Sequence, residues 1–160
     1  MADTLHLPDT ADRKALYTAL QPQVEALLAD ETDLIARMAN LVAAIHQAFG
    51  HHWVGFYRVV GSDLVLGPFQ GPVACTRIGH GKGVCGTAWA EGRTLVVPDV
   101  ELFPGHIACS ALSRSEIVVP VRDASGSVIA VLDIDSSDLD DFGEGDVNGL
   151  ESLCRLLIHV

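Results

Sequence analysis

Two short turns, each between segments rich in β-branched and aromatic residues, constrain the fold of this chain more than any other sequence feature. The first turn is Gly-Ser-Asp at residues 61–63, and the second is Asp-Ala-Ser-Gly at residues 123–126. Turns of this length and composition join neighbouring antiparallel strands. The sequence therefore predicts two β-hairpins, whose strands cover residues 53–60, 64–66, 117–122 and 128–135.

Helical periodicity precedes and follows the predicted hairpins. Between residues 10 and 28 apolar side chains recur at helical spacing, although Pro22 is expected to break or kink this run. A second helix is predicted from an N-cap at Thr32 to Gly50, and a last helix covers residues 147–158. These elements predict an α+β fold, an antiparallel sheet with the N-terminal and C-terminal helices packed on one face.

Length and charge exclude several classes of protein. The 160 residues, 49% hydrophobic and 19% charged, predict one globular domain over residues 1–160, with residues 1–9 as a loose tail. A net charge of −11 argues against nucleic-acid binding, which needs a basic patch to neutralise phosphates. The sequence shows no secretory signal and no apolar stretch long enough to cross a bilayer, so we expect a cytoplasmic protein that does not bind membranes.

Three of the four cysteines lie outside any apolar period. Cys75 is predicted to end a short strand, Cys85 to open a helix, and Cys109 to lie in a long irregular connection over residues 98–115. Thiols at such positions are compatible with redox chemistry and with a structural role, and a helix N-terminus favours the thiolate of Cys85. Cys154 lies on the apolar stripe of the last helix, which indicates a buried thiol. The spacing lacks the close cysteine pairs of zinc sites, so no metal is predicted.

Three carboxylates and two aromatic residues are candidates for a pocket. Asp133 and Asp135 are two apart on one strand and so share a face, and Glu116 begins the strand beside it. Hydrated surface acids are the simpler interpretation, whereas carboxylates crowded in a pocket would keep a proton near neutrality. Trp53 and Tyr57, four apart on the first strand, are predicted to lie in the core or to wall a small pocket.

These residues occur in motifs that resemble those of the GAF-domain family and, more closely, the free methionine-(R)-sulfoxide reductases. The resemblance covers residues 11–159, nearly the whole chain, and implies a GAF-like fold. Three cysteines combined with this acidic set make it specific. The motifs are WVGFY at 53–57, GPFQGPVAC at 67–75, GKGVCG at 81–86, HIACS at 106–110, SEIVVP at 115–120 and LDIDS at 132–136.

The resemblance implies an enzyme that reduces free methionine-(R)-sulfoxide rather than the oxidised residue within a polypeptide. It implies Cys109 as the nucleophile, Cys75 as the thiol that resolves it and Cys85 as a second or relay thiol. The sulfenic acid formed on the nucleophile would become an intramolecular disulfide that thioredoxin reduces, without a bound cofactor. The resemblance further implies a homodimer, and substrate-binding roles for Trp53, Tyr57, Glu116, Asp133 and Asp135.

Two alternatives belong to other functional classes. In the first, the chain is a GAF small-molecule or redox sensor whose pocket binds a ligand without catalysis. In the second, it is a dimerisation module built on the N-terminal helices. Replacement of Cys109 by Ser distinguishes them, because only a reductase would lose turnover while a binding module would keep its ligand.

Overall fold

The computed structural model describes residues 4–107 and 110–158. None of the helices in these ranges is long and apolar enough to cross a membrane. In chain order the elements are α1 (Arg13–Leu28), α2 (Leu34–Phe49), β1 (Trp53–Val60), β2 (Asp63–Gln70), β3 (Arg77–Gly79), α3 (Gly83–Glu91), β4 (Leu95–Val97), a 3-10 turn (Val100–Leu102), β5 (Ser115–Arg122), β6 (Val128–Ser136) and α4 (Glu144–Arg155).

The strands form one antiparallel sheet in the order β3-β2-β1-β6-β5-β4. Both predicted hairpins are present, since β1 pairs with β2 and β5 pairs with β6. Strands β1 and β6, which are distant in sequence, pair at the centre of the sheet. In this pairing Trp53 lies opposite Asp135. The central pairing therefore brings the aromatic strand next to the acidic strand.

The two faces of the sheet carry separate apolar cores. On one face, Ile117 and Val119 belong to a core with buried residues of α1, α2 and α4. On the other face, Val118 belongs to a second core with Cys85 and its neighbours in α3. The N-terminal and C-terminal helices thus share one face, which confirms the predicted α+β fold, and α3 lies against the opposite face.

The first two helices differ from the sequence predictions in detail. Helix α1 continues through Pro22, because the proline is on the exposed side, where the Thr18 carbonyl that loses its helical partner can bond to water. The N-cap of α2 is Asp33 rather than Thr32, since the Asp33 carboxylate accepts a 2.9 Å hydrogen bond from a backbone N–H of the first turn. Gly50 ends α2 with a φ of 68°, as predicted.

The strand predicted near Cys75 begins later in the chain than expected. Residues 73–76 are irregular, and the strand that pairs with β2 is β3. Cys75 therefore lies in the connection between β2 and β3 instead of ending a strand. The reason is visible in its backbone, whose carbonyl accepts a hydrogen bond from the Tyr57 hydroxyl rather than from a neighbouring strand.

Part of the segment predicted as a loose tail contacts the folded body. Leu5 and Leu7 are partly buried against the core beneath the helices. The backbone N–H of His6 donates to Gln23 Oε1 at 2.8 Å, and Gln23 Nε2 donates back to the His6 carbonyl at 2.9 Å. These contacts attach residues 5–7 to helix α1.

Candidate active site

The hairpin of β5 and β6 brings the three predicted carboxylates together on the α3 side of the sheet. Glu116 lies directly opposite Asp135, and Asp133 lies opposite Val118. Glu116 and Asp133 are only 5% and 7% exposed. The interpretation as hydrated surface groups is therefore wrong for Glu116 and Asp133, because α3 and its preceding loop cover this end of the hairpin, while Asp135 is half-buried.

The first turn of α3 adds Cys85 to the carboxylates. Its Sγ lies 3.9 Å from Glu116 Oε1, and single donor atoms of Cys85, Glu116 and Asp133 all lie within 4.8 Å of one another. Gly86 within α3 permits this placement, since a Cβ on it would lie 2.3 Å from the Gly79 carbonyl oxygen. Glycine at this position lets α3 sit directly on the end of β3.

Burial keeps protons on this cluster. Desolvation raises the pKa of Glu116 and of Asp133 well above the usual range, and the charges of neighbouring carboxylates raise both pKa values further. Burial also raises the pKa of Asp135, to about 6. Near neutral pH the cluster is therefore only partly ionised, and it holds at least one carboxylic acid able to donate a proton.

Burial also favours the protonated form of the Cys85 thiol. Burial raises its pKa well above the ordinary thiol value, and the charges on Asp133 and Glu116 raise the pKa further. The prediction that the helix dipole favours the thiolate form of Cys85 is thus wrong. Complete burial beside two acids outweighs the dipole, whose effect on a charged group is about 1 kcal/mol.

Two aromatic side chains of β1 form the wall next to the carboxylates. Trp53 and Tyr57 are both buried, and their rings stack with centroids 5.9 Å apart. Trp53 Nε1 donates to the Pro72 carbonyl at 3.1 Å, and the Tyr57 hydroxyl donates to the Cys75 carbonyl at 3.0 Å. The pair is therefore both core and pocket wall, and it fixes the connection that carries Cys75.

Two small cavities adjoin the acids, and both are lined by Asp133 and Asp135. One has a volume of about 30 Å³ and is also lined by Cys85, His106 and Glu116. The other has a volume of about 20 Å³ and is also lined by Trp53, Tyr57 and Ala74. The predicted nucleophile Cys109 lies outside the described residues, but Ile107 and Ser110 on either side of it in sequence line the first and second cavity respectively.

The other described cysteines differ in chemical state. Cys75 is disulfide-bonded, whereas Cys85 and Cys154 are free thiols. Cys154 is 4% exposed in the core beneath the helices, and burial raises its pKa to about 12. This agrees with the prediction that Cys154 is an unreactive core residue.

A larger cavity, of about 600 Å³, lies between α4 and the ends of β4 and β5. Cys154 is the thiol that lines it, and that thiol is buried and protonated. The guanidinium group of Arg122, which lines this cavity, already donates hydrogen bonds to the carbonyls of Gly126 and Gly92. The chemistry indicated by the described residues is therefore at the carboxylate cluster and not in this larger cavity.

Two histidines at the site had no role in the sequence predictions. His106 Nε2 lies 3.8 Å from Glu116 Oε2, and desolvation lowers the pKa of His106. His52 Nε2 lies 3.1 Å from Ser110 Oγ. The position of His106, three residues before Cys109, could have indicated from the sequence that His106 lies at the site. No local pattern in the sequence connects His52 with Ser110.

Comparisons with known proteins agree with this architecture. The family model for the GAF domain matches residues 33–158. The chain is 51% identical over 158 residues to GAF domain-containing protein A of Dictyostelium discoideum, covering 98% of this chain and 99% of the relative. It is 43% identical over 150 residues to the free methionine-R-sulfoxide reductase of Escherichia coli, covering 93% and 90%. The X-ray structure of free methionine-R-sulfoxide reductase from Neisseria meningitidis in complex with its substrate matches with a TM-score of 0.94 at 52% identity, covering 98% and 93%.

The antiparallel sheet, the helices on its two faces and the match to the family model define the class of protein: the chain belongs to the GAF-domain family. Its identity to the Escherichia coli relative and its likeness to the Neisseria meningitidis structure are more specific. Within the GAF-domain family it belongs with the free methionine-R-sulfoxide reductases, which makes it an oxidoreductase. The resemblance seen in the sequence motifs is thereby confirmed.

Proposed function

We propose that this protein reduces free L-methionine-(R)-sulfoxide to methionine. The observation that carries the proposal is the cluster of buried Glu116 and Asp133 with half-buried Asp135, in which desolvation keeps carboxyl groups protonated near neutrality. Reduction of a sulfoxide requires a proton for the oxygen that leaves the substrate sulfur. Binding of a free amino acid requires negative charge for its α-ammonium group. One partly ionised cluster supplies both.

The proposed reaction begins with attack of the Cys109 thiolate on the sulfoxide sulfur. A carboxylic acid of the cluster protonates the sulfoxide oxygen as the sulfur–sulfur bond to Cys109 forms. The resulting hydroxyl group then transfers to the Cys109 sulfur while the substrate sulfur–oxygen bond and the transient sulfur–sulfur bond break, which leaves a sulfenic acid on Cys109. Methionine leaves after a two-electron reduction. The Cys75 thiol then condenses with the sulfenic acid, which releases water and leaves a disulfide. A dithiol, proposed to be thioredoxin, reduces that disulfide, and no prosthetic group takes part.

The described thiols support this division of roles. Cys75 is disulfide-bonded and its backbone is tied to Tyr57, as suits a resolving residue. Cys85 is buried, protonated and in contact with Glu116, so it is poorly suited to attack a substrate first. We therefore assign Cys85 the role of a second or relay thiol that acts after the sulfenic acid has formed.

Preference for the free amino acid has a physical basis in the same cluster. A methionine residue inside a polypeptide has no α-ammonium group to pair with the carboxylates. The cavities of about 30 and 20 Å³ are also far smaller than the several hundred Å³ of a usual ligand pocket, so neighbouring side chains must move for binding. Binding of a methionine sulfoxide residue within a polypeptide would require burial of the flanking polypeptide as well, which favours the free amino acid.

The test is an NADPH-consumption assay coupled through thioredoxin and thioredoxin reductase. The substrates are the free R epimer, the free S epimer and a peptide that contains methionine sulfoxide. We expect turnover of the free R epimer alone, lost in Cys109→Ser and retained in Cys154→Ser, which removes a thiol remote from the cluster. A parallel assay with dithiothreitol separates the chemistry at the site from recycling by thioredoxin.

Two outcomes would contradict the proposal. Equal turnover of the peptide would remove the charge-based account of selectivity. No turnover of any sulfoxide by folded, reduced protein with either reductant would favour a GAF sensor, in which the pocket binds a ligand without catalysis.

We also propose that the protein works in the cytoplasm as a homodimer, as the family resemblance implies. The free thiols of Cys85 and Cys154 suit a reducing compartment. Sedimentation equilibrium tests the assembly, and a concentration-independent monomer mass would exclude the homodimer.

A further inference from the structure

The cluster at the site has the composition of a metal-ligand set as well as that of a substrate pocket. A thiol and two carboxylates, those of Cys85, Glu116 and Asp133, offer donor atoms within 4.8 Å of one another. All three residues are at most 7% exposed. His106 borders the set, with its Nε2 at 3.8 Å from Glu116 Oε2.

A second observation concerns one carboxylate oxygen of this cluster. Asp133 Oδ1 is buried and makes no hydrogen bond within the part of the chain that the structure describes. A buried carboxylate oxygen without a donor is costly. The described lysines and arginines also form no ion pair with Glu116, Asp133 or Asp135. A bound cation would satisfy this oxygen.

We propose that Cys85, Glu116 and Asp133 bind a zinc ion in the substrate-free protein. Thiolate and carboxylate together suit Zn²⁺, while Mg²⁺ and Ca²⁺ take oxygen ligands alone. Ligand atoms around tetrahedral zinc lie about 3.3 to 3.8 Å apart at ordinary bond lengths. The Sγ of Cys85 and Oε1 of Glu116 are already 3.9 Å apart, so side-chain rotation suffices to close the site. Water or His106 completes the coordination.

Binding is a proton exchange without electron transfer. Zn²⁺ displaces the proton of the Cys85 thiol and any proton held by the two carboxyl groups, and these protons go to solvent. Zinc and the substrate ammonium group then compete for Glu116 and Asp133. The metal is therefore an inhibitor competitive with methionine sulfoxide, a consequence that rests on the proposed function, whereas the metal binding itself does not.

The test uses Co²⁺ as a spectroscopic substitute for zinc in the full-length chain, without substrate or turnover. The starting protein is the Cys75→Ser/Cys109→Ser double variant, in which neither of these thiols can bind metal. One equivalent of Co²⁺ should give a thiolate-to-cobalt charge-transfer band and tetrahedral d–d bands, and Zn²⁺ should remove both. Adding Cys85→Ser should abolish the charge-transfer band, and adding Asp133→Asn should weaken binding at least about tenfold.

Cys154→Ser in the same background is the matched control and should change neither band. Circular dichroism and a competition titration with a chromophoric zinc chelator verify the fold and the affinity of each variant. Absence of a charge-transfer band in the double variant, or its persistence after Cys85→Ser, would overturn the proposal. If the cobalt bands behave as expected but no sulfoxide is reduced, the metal site stands and the proposed reductase activity fails.

Discussion

The hydroxyl of Tyr57 donates a 3.0 Å hydrogen bond to the backbone carbonyl of Cys75. Tyr57 is 1% exposed in the middle of the sheet, where it pairs with Val131 of β6. Cys75 lies in an irregular connection that no strand pairing fixes. Besides its disulfide, the proposed resolving residue is therefore held at its backbone by the central strand of the sheet.

Replacement of Tyr57 by Phe tests this relationship. The variant keeps the aromatic ring against Trp53 but loses a hydrogen bond whose net value is about 1 kcal/mol. We expect disulfide formation by Cys75 to slow about fivefold, while methionine release in a single turnover is unchanged. Chromatography of methionine and mass spectrometry of quenched thiols measure the two steps separately.

Tyr17→Phe provides the matched control for this variant. It removes a 3.0 Å hydrogen bond to Asp146 Oδ1 in the core beneath the helices, on the opposite face of the sheet from Cys75 and Cys85. It should lower the melting temperature without changing either step. Slower methionine release in Tyr57→Phe, with normal disulfide formation, would show that the hydroxyl serves the first step instead.

Replacing single acids should distinguish the specific role of the carboxylate cluster from a general effect of the protein's negative charge. Glu116→Gln and Asp133→Asn keep the shape of the side chain but lose the acid that donates a proton and the charge that pairs with the substrate. We expect kcat/KM for free methionine-(R)-sulfoxide to fall about 10²- to 10⁴-fold in each. Asp30→Asn, an exposed acid at the end of α1, should leave kcat/KM unchanged. Comparable losses in all three variants would indicate a general effect of net charge.

Stability should fall as pH rises through the titration of the cluster. The pKa of Asp135 is about 6 in the folded protein, above its usual value of 3.8, so the folded state binds more protons than the unfolded state between these values. Its contribution to stability is thus present below the unfolded-state pKa and lost as pH rises past 6. Asp135→Asn should gain on the order of 2 to 3 kcal/mol over the natural protein at about pH 8, with little gain at about pH 4.

Urea unfolding of both proteins at the two pH values measures this difference. Asp138→Asn, an exposed acid just beyond β6, is a suitable comparison because it lies close in sequence but outside the cluster. A gain in Asp135→Asn that is equal at both pH values would mean that packing, and not ionisation, accounts for the effect.

Local patterns in the sequence predicted the elements but not the way they meet. The hairpins, the Gly50 helix end and the shared face of Asp133 and Asp135 follow from turn composition and residue spacing, which act over a few residues. The pairing of β1 with β6 places Trp53 opposite Asp135 across more than 80 positions, as the register shows. Such pairing depends on packing between distant segments, which no local pattern encodes.

The state of the site residues depended on the same long-range contacts. Whether Glu116 and Asp133 are hydrated or buried is decided by the position of α3, and composition alone favoured the hydrated state. The thiolate expected at Cys85 came from its helix position, a local effect, whereas the pKa is controlled by burial beside two acids. Charge states in a pocket therefore cannot be predicted before the elements that enclose it are known.

The close approach of α3 to β3 gives a test of the geometry that holds Cys85 in place. A Cβ on Gly86 would lie 2.3 Å from the Gly79 carbonyl oxygen, which is backbone and cannot rotate away. We expect Gly86→Ala to lower the free energy of unfolding by about 1 to 3 kcal/mol. Activity should fall further than stability explains, because any shift of α3 moves Cys85 away from Glu116.

Gly145→Ala is the control, since it lies in the first turn of α4 and its new Cβ would meet nothing within 4 Å. It should raise the free energy of unfolding by about 0.4 to 1 kcal/mol and leave activity unchanged. Denaturant titration and kcat/KM, both at a temperature where every variant is folded, give the comparison. If Gly86→Ala unfolds less easily than expected and keeps full activity, α3 tolerates displacement, and close contact between Cys85 and the carboxylates is not needed for turnover.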